Sequence, residues 1–368
     1  MHLKSLQLIN FKNYKEVQLD LSPKINVLVG SNGSGKTNLL DAIHYLSLTK
    51  SAFTSGDNFS IRHGEKFFSI KGLFCSDSSQ NEVLCSVQPG AKKIVRDGVK
   101  EYSRLSEHIG RFPVILIAPD DTALVREGSE ERRRFFDSMI AQLDRNYLES
   151  LIEYNHILKQ RNSLLKLFAE TNTLDTIALD SYDSMLIRPG EALFKKRLEF
   201  LENYRPVFKR FYRFVAENEA VDVAYDSDLK KVSFAAGLQK NREKDLYMQR
   251  SNFGIHRDDF VFTLGEGDLK RFGSQGQQKS FIIALKLSQF EMIKVKNGIC
   301  PILLLDDIFD KLDDQRIGKL LQMIRDDVFE QLFITDARPD RTSSLLDEIG
   351  VKASFYTVAA GIIKKDEQ

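Results

Sequence analysis

Short runs of alternating apolar and polar residues open the chain, and they predict strands. Such runs are LKSLQLINF, EVQLDLS and KINVLVG, all within the first 30 residues. The next segment, TNLLDAIHYLSL, has Leu39, Ile43 and Leu46 at helical spacing and predicts a helix. Residues 53–118 are again strand-like, with the runs KFFSIKGLFC, NEVLCSVQ, KKIVRDGVKEY and FPVILIAP. The first third of the chain is therefore predicted to be α/β.

The middle of the chain changes to a helical period, from about Glu130 to Glu217. Two apolar stripes recur at helical spacing, and they consist of Tyr147, Leu151, Tyr154, Leu158 and Leu165, and of Phe194, Leu198, Leu201, Phe208 and Val215. The polar segment AETNTLDTIALD separates them, which predicts a short antiparallel helical arm. After it, KVSFAAGL and DFVFTLGEG return to strand patterns. We therefore expect an N-terminal part of a head at 1–125, a helical arm at 126–245 and a C-terminal part of the head at 246–368.

Composition and charge are those of an ordinary globular protein, with 42% hydrophobic residues, 29% charged residues and a net charge of +1. Nucleic-acid binding would therefore depend on local basic patches. The cysteines Cys75, Cys85 and Cys300 are odd in number and form no C-x-x-C pair, which argues against a disulfide framework or a zinc site and favours a reducing cytosol. No run approaches the roughly 18 apolar residues of a membrane span, and no signal peptide is visible. We expect a soluble, cytoplasmic protein without a membrane partner.

A glycine-rich loop predicts a phosphate-binding site. The stretch GSNGSGKTN fits the pattern G-x-x-x-x-G-K-[ST], follows the strand INVLV and precedes a helix. In such a loop the backbone N–H groups converge on phosphate oxygens, Lys36 reaches the β- and γ-phosphates, and the Thr37 hydroxyl binds Mg²⁺. The predicted nucleotide contacts are therefore Gly30, Ser31, Asn32, Gly33, Ser34, Gly35, Lys36, Thr37 and Asn38.

Two acidic residues follow an apolar run in PILLLDDIFDKLD. Residues 302–305 predict a buried central strand, and Asp306 would emerge at its C-terminal end, where open α/β sheets bind ligands. Asp306 is the expected Mg²⁺ partner, and Asp307 is placed to orient or activate the attacking water. The predicted catalytic residues are Lys36, Asp306 and Asp307, and the predicted metal ligands are Thr37 and Asp306.

A third motif, FGSQGQQKS, immediately precedes an apolar helix that carries Phe281, Ala284, Leu285 and Met292 on one face. ATPases of the ABC type need such a loop, because small uncharged donors at a helix N-terminus cap the γ-phosphate bound by the other head of a dimer. We therefore predict that nucleotide is bound in trans by Ser274, Gln275, Gly276 and Gln277. Ser274 would donate to the γ-phosphate, and Gly276 would allow close backbone approach.

These motifs, in this order, resemble the RecF family of bacterial recombination-repair ATPases, which are related to the SMC proteins. The resemblance covers nearly the whole chain and includes LINFKNY, APDDTALVREGSEERRRFFD, YNHILKQRNSLLK, GIHRDDF and LLLDDIFDKLD. It implies an α/β fold, an ABC-type P-loop ATPase head of mixed sheets with flanking helices, with a mainly helical arm inserted mid-chain. The family usually has proline where this chain has Glu130 and Ile255, and Ser-Glu-Leu-Asp where it has Asp-Lys-Leu-Asp at 310–313.

The resemblance also implies a function. It implies a weak, DNA-stimulated ATPase that forms a homodimer around two ATP molecules and then binds single-stranded and duplex DNA at gap junctions. Its partners would be RecR and, functionally, RecO and RecA, whose loading it promotes. The loop near Asp313 is expected to be functional, Asp336 would lie at the position of a γ-phosphate sensor, and Lys12 would approach the nucleotide. Asp307 stands where most ABC ATPases have glutamate, and its shorter side chain gives a reason for slow turnover.

Two basic clusters are candidate DNA contacts. The first is Arg132 to Arg134, and the second consists of Lys195, Lys196, Arg197, Arg205, Lys209, Arg210 and Arg213, interrupted by Glu191, Glu199 and Glu202. Phosphate contacts need such charges, but a solvated helix face has the same pattern. No base-reading motif is visible, so recognition of DNA structure rather than DNA sequence is expected.

Three other functions stay open on the sequence. The nucleotide-binding subunit of an ABC transporter shares the P-loop and the acidic strand, but it would normally carry a full Leu-Ser-Gly-Gly-Gln string and no such helical insertion. A small-molecule P-loop kinase would leave GSQGQ unexplained. A structural, SMC-like cohesion factor would need long heptad repeats.

Overall fold

The computed structural model describes residues 1–76, 79–216, 219–309 and 312–366, and the chain divides into two units. Unit 1 comprises Met1–Asp121, Phe214–Glu217 and Lys279–Gln368, and unit 2 comprises Thr122–Arg213 and Asn218–Gln278. The sequence analysis put the second boundary at residue 245, whereas the structure places it at 278. The difference arises because the strand-like segment after residue 258 pairs with a strand at Val221–Asp226 and so belongs to the same unit.

The elements are numbered along the chain. Strands β1 to β15 are His2–Phe11, Tyr14–Asp20, Ile25–Val29, Phe68–Cys75, Gln80–Val87, Ile94–Asp97, Lys100–Glu101, Val114–Ile117, Val221–Asp226, Asp259–Leu264, Gly267–Asp268, Ile302–Leu305, Leu332–Asp336, Ser354–Ala359 and Ile362–Lys365. Helices α1 to α10 are Lys36–Leu48, Ala123–Arg126, Ser129–Leu143, Arg145–Thr171, Thr176–Ala216, Phe234–Met248, Leu269–Phe272, Gln275–Asn297, Asp314–Arg325 and Pro339–Glu348. None of these helices is long and apolar enough to cross a membrane.

Unit 1 contains an antiparallel sheet and a mixed sheet. The antiparallel sheet has the order β2-β1-β4-β5-β6-β7, and the mixed sheet has the order β15-β14-β3-β13-β12-β8, with β15 as its antiparallel edge. Helix α1 packs against strands of both sheets, and every residue from Leu39 to Leu48 is buried. A helix in such a position is apolar on nearly all sides. The stripe of Leu39, Ile43 and Leu46 is therefore only part of its buried surface.

Unit 2 is built on the long helices α4 and α5, with α6 and the sheet β11-β10-β9. The predicted stripes lie on α4 and α5, and their residues are buried or half-buried; all of them except Val215 belong to unit 2. The segment KVSFAAGL is not a strand, because helix α6 begins within it, behind Ser233, whose hydroxyl accepts the N–H of Ala236. Phe234 and Leu238 are both buried, and their separation of four residues is helical.

A buried arginine joins three helices of unit 2. Arg161 on α4 is fully buried, and it donates to Asp183 on α5 at 2.6 Å and to Asp245 on α6 at 2.8 Å. It also donates to the Ser251 hydroxyl at 2.7 Å. Loss of either carboxylate would leave the buried guanidinium with one carboxylate partner and with an unsatisfied N–H donor, which destabilises the fold.

His256 is held as a neutral imidazole in the same unit. Its Nε2–H donates to the Ser251 carbonyl at 3.1 Å, so Nδ1 is left to accept the hydroxyl of Tyr154 at 2.8 Å. Burial lowers the pKa of His256 to about 4.

The histidine predicts a pH dependence of stability. The ordinary histidine pKa is about 6.5, so between about pH 6.5 and pH 4 the unfolded chain binds a proton that the folded chain excludes. Stability therefore falls as the pH is lowered through this window, by up to about 1.4 kcal/mol per pH unit for one such group. We expect His256→Gln to flatten the fall of melting temperature between pH 6.5 and 5, whereas His63→Gln, at an exposed histidine, leaves it unchanged. An equal fall in wild type and His256→Gln would contradict the neutral assignment.

Candidate active site

The loop at residues 30–38 connects strand β3 to helix α1. Gly33 has φ +78°, and nothing lies within 4 Å of the position that a Cβ atom would occupy there. Gly35 has φ +120°, and a Cβ atom there would lie 2.4 Å from Nδ2 of Asn13. Ser31, Asn32 and Gly33 are exposed, whereas Ser34 and Gly35 are buried. The loop is therefore closed on the side of Asn13 and open at Gly33, where a phosphate group has room to approach.

The turn between β1 and β2 holds the loop in place, which the sequence analysis missed. The Nδ2 of Asn13 donates to the Ser34 carbonyl at 3.1 Å, and its Oδ1 accepts from Nδ2 of Asn38 at 2.8 Å. The Tyr14 hydroxyl donates to the Gly35 carbonyl at 2.8 Å. Asn13 and Tyr14 lie in the quoted run LINFKNY, but nothing in their spacing connects them to the loop.

Lys12, in the same turn, was expected near the nucleotide. Its ammonium group forms a 2.6 Å ion pair with Asp41, whose side chain is buried on α1. Asp41 also accepts from the Ser51 hydroxyl and the Ala52 N–H, each at 2.7 Å. The structure therefore shows Lys12 in an internal ion pair of unit 1, and its approach to the nucleotide stays a prediction.

The structure brings together three of the predicted catalytic and metal-binding residues. Lys36 is buried, and its ammonium donates to the carbonyls of Gly30 and Ser31 at 2.8 and 3.2 Å, across the loop. The Thr37 hydroxyl lies 2.9 Å from each carboxylate oxygen of Asp306.

Asp306 is itself only 4% exposed, and it has a second hydroxyl donor. The Thr335 hydroxyl donates to its Oδ1 at 2.8 Å. Burial raises the pKa of Asp306 above its ordinary value, and the hydrogen bonds from Thr335 and Thr37 act in the opposite direction. The carboxylate therefore depends on these two threonines for the stability of its charged form.

The residues around Asp306 fit a magnesium ion. A hydroxyl and a carboxylate are hard oxygen ligands, and Mg²⁺ is usually held by one or two such groups together with phosphate oxygens and water. The described residues contain no cluster of three or more His, Cys, Asp or Glu side chains suited to a metal. A site at Thr37 and Asp306 would therefore need the phosphates of a nucleotide to complete it.

Asp307 has an unusual backbone conformation. Its φ is +45°, in the left-handed region, which aspartate tolerates better than most residues. Its N–H donates to the Thr335 hydroxyl at 2.8 Å. Thr335 therefore contacts both acidic residues of the pair, although no motif in the sequence singles it out.

Asp336 ends β13 and was expected at the position of a γ-phosphate sensor. Its carboxylate is buried, and it accepts the N–H of Arg338 at 2.8 Å and the hydroxyl of Thr342 at 2.5 Å. These bonds direct the side chain into the turn that precedes α10. The geometry thus favours a structural role over the expected sensor role.

The segment from Ser274 to Gln277 forms the start of helix α8. Ser274 Oγ accepts the N–H of Gln277 at 3.2 Å, and Gln277 Oε1 accepts the N–H of Ser274 at 2.7 Å, which is a capping box. Ser274 and Gln275 are exposed. Gln277 also donates to Glu219 at 2.7 Å, and Glu219 accepts the Tyr212 hydroxyl. In the cap the Ser274 oxygen is an acceptor, so its own proton can go to another group.

Part of the predicted D-K-L-D loop is visible. Asp313 is the N-cap of α9 and accepts the N–H of Arg316 at 3.0 Å. Asp310 and Lys311 lie outside the described residues.

The basic clusters divide into buried and exposed residues. Arg197 is 1% exposed, with both carboxylate oxygens of Asp137 at 2.9–3.0 Å, so it cannot contact DNA in this fold. Arg132 donates to both oxygens of Asp259 at 2.8 Å, and Arg133 donates to the Asp258 carbonyl at 2.5 Å.

The remaining residues of the second cluster are more accessible. Arg205 and Lys209 both pair with Asp222, and Lys196 pairs with Asp144. Lys195, Arg210 and Arg213 are exposed on α5.

The chain is similar to known ATPases and DNA-repair proteins. The AAA ATPase domain family matches residues 1–298. The chain is 46% identical to the DNA replication and repair protein RecF of Cytophaga hutchinsonii, over 93% of this chain and 91% of that protein. It is 40% identical to the protein of the same name from Bacteroides thetaiotaomicron, over 99% of each.

Two solved structures extend the comparison. One, described as the recombination mediator protein RecF-ATP in the RecFOR pathway, matches with a TM-score of 0.90 and 28% identity, over 100% of this chain and 98% of that one. The Smc head domain of Pyrococcus furiosus matches with a TM-score of 0.56 and 17% identity, over 99% and 96% of the two chains, which shows a shared fold alone. These likenesses confirm the predicted ABC-type head with a helical arm, and they favour RecF over the transporter subunit.

Proposed function

Because the chain belongs to the RecF family of DNA replication and repair proteins, we propose that it is an ATP-dependent DNA-binding recombination mediator. It would recognise single-strand gaps or junctions between single-stranded and duplex DNA in the cytoplasm. With RecR and RecO it would promote RecA loading. The observation that carries this proposal is the contact of Thr37, in the phosphate-binding loop, with the buried carboxylate of Asp306.

The proposed reaction is the hydrolysis of ATP to ADP and phosphate. Lys36 and the loop from Gly30 to Asn38 would bind the phosphates, and Thr37 and Asp306 would hold Mg²⁺, which neutralises charge on the transferred phosphoryl group. Asp307 would orient the attacking water. Its side chain is one methylene shorter than the glutamate usual in ABC ATPases, which supports slow turnover.

The role of Asp307 can be tested by removing its charge. We expect Asp307→Asn to lower the steady-state ATPase rate by about tenfold or more, because a carboxamide cannot accept the proton of the attacking water. ATP binding, measured with a fluorescent nucleotide, should be retained. Asp327→Asn, at an exposed carboxylate paired with Lys24, is the control. An unchanged rate in Asp307→Asn would exclude Asp307 as the base.

The start of helix α8 supports an ATP-driven dimer. The capping box satisfies N–H groups of Ser274 and Gln277 within one chain, while Ser274 and Gln275 remain at the surface. A helix N-terminus with small uncharged donors attracts anions. We assign this surface to the γ-phosphate bound by a second copy of the chain.

Substitution of Ser274 tests the dimer. We expect wild type to sediment as a dimer with ATP and Mg²⁺ and to bind gapped duplex DNA in that state. Ser274→Arg should abolish both without blocking ATP binding, because the larger side chain fills the space of the partner's phosphate. Ser233→Arg changes another exposed serine N-cap, with a similar cost of about 1 kcal/mol for the lost cap, and should dimerise normally. A wild type that stays monomeric with ATP and does not bind DNA would contradict the proposal and favour a small-molecule kinase or a transporter subunit.

The exposed basic residues of α5 are the proposed DNA contacts. We expect Arg210→Ala with Arg213→Ala to weaken DNA binding in the ATP state and to reduce the slope of log K against log[salt] by about two, since each phosphate contact adds about one. Lys24→Ala removes an exposed charge elsewhere and serves as control. An unaltered salt slope in the double variant would place the DNA on another surface.

A further inference from the structure

Thr335 lies on β13, next to the strand that ends in the acidic pair. Strand β13 pairs with β12 on one side and with β3 on the other, so it separates the acidic strand from the strand that leads into the phosphate-binding loop. Thr335 is fully buried. Its single hydroxyl donates to Oδ1 of Asp306 and accepts the N–H of Asp307, each at 2.8 Å.

We propose that Thr335 is a positioning residue of the nucleotide–Mg²⁺ site, which holds the Asp306 carboxylate against Thr37 and the Asp307 backbone in its left-handed conformation. This inference rests on the proposed ATPase function and deepens it. Thr335 is not a predicted ligand of nucleotide or metal, so its effect would be exerted through Asp306 and Asp307.

The Thr335 hydroxyl acts as a donor in one hydrogen bond and as an acceptor in the other, so this position requires a hydroxyl side chain. Valine has nearly the same shape but can neither donate to Asp306 nor accept from Asp307, so the partly buried N–H of Asp307 would lose this acceptor. Serine keeps both bonds and loses only a methyl group. Loss of a group that orients a metal ligand typically lowers metal affinity or activity by about 10–100-fold.

Thr342 offers a matched control in the same unit. It is also fully buried, and its hydroxyl donates to a carboxylate, that of Asp336, at 2.5 Å. Among the described contacts, it makes none with Asp306 or Asp307. Thr342→Val therefore removes the same chemical group from a similar environment, and separates a general loss of stability from an effect on the metal site.

The experiment is a titration of Mg²⁺ at fixed ATPγS, with the rise in melting temperature as the readout, for wild type, Thr335→Val, Thr335→Ser and Thr342→Val. We expect Thr335→Val to raise the Mg²⁺ concentration for half-maximal stabilisation by about tenfold or more. Thr335→Ser should remain near wild type. Thr342→Val should melt at a lower temperature with an unchanged Mg²⁺ midpoint. If Thr335→Val does not fold, Thr335→Cys, with its weaker S–H donor, should give a smaller shift in the same direction.

The outcomes separate this inference from the proposed function. A wild type that shows no Mg²⁺-dependent stabilisation by ATPγS would contradict the proposed site itself. A normal response in wild type together with an unshifted midpoint in Thr335→Val, or in Thr335→Cys where that variant is used, would overturn the role of Thr335 alone. An equal shift in Thr335→Ser and Thr335→Val would also overturn it, because the hydroxyl would then be irrelevant.

Discussion

A buried carboxylate held by two hydroxyl groups is the interaction on which the candidate active site depends. Asp306 is 4% exposed, and Thr37 and Thr335 donate to it from helix α1 and strand β13. A buried charge without such donors costs several kcal/mol. The phosphate-binding loop, the acidic strand and the strand beside it must therefore be correctly placed together, or the carboxylate is destabilised. The hydrogen bonds from Thr37 and Thr335 that fix the fold locally also fix the geometry of the proposed metal site.

Sequence alone could predict the parts of this site that are contiguous in the chain. A strand, a glycine-rich loop and a helix at residues 25–48, and four apolar residues before Asp306, carry their own signals. Asn13 and Thr335 could not be found in this way. Asn13 lies in the turn between β1 and β2 and Thr335 lies on β13, and both are distant in sequence from the residues that they contact. The contribution of Thr335 depends on sheet order, with β13 between β3 and β12, which no local pattern encodes. The same limit applies to the boundary at 278, which follows from the pairing of β9 with β10.

The basic residues of α5 show that charge count alone misidentifies a DNA surface, and that the helical phase of each residue supplies the missing information. The sequence analysis placed Arg197 in the second basic cluster. However, Leu193 and Leu201, four residues before and after it, are both buried. A residue at that spacing lies on the buried face of the helix. An arginine in such a position needs a carboxylate, and Asp137 supplies one. Charge count alone therefore overestimates a DNA surface, whereas charge count together with helical phase separates Arg197 from the exposed Arg210 and Arg213.

The proposed dimer rests on how the predicted nucleotide contacts are distributed along the chain. The phosphate-binding loop belongs to unit 1, whereas Ser274 to Gln277 belong to unit 2 and open a helix of 23 residues with two of them exposed. If a nucleotide on one chain is capped by the second chain, ATP binds the dimer more tightly than the monomer and shifts the equilibrium towards the dimer by mass action. Hydrolysis removes the γ-phosphate and with it the capped group. The shorter side chain of Asp307 would then lengthen the lifetime of the DNA-bound dimer, so slow turnover would prolong DNA binding.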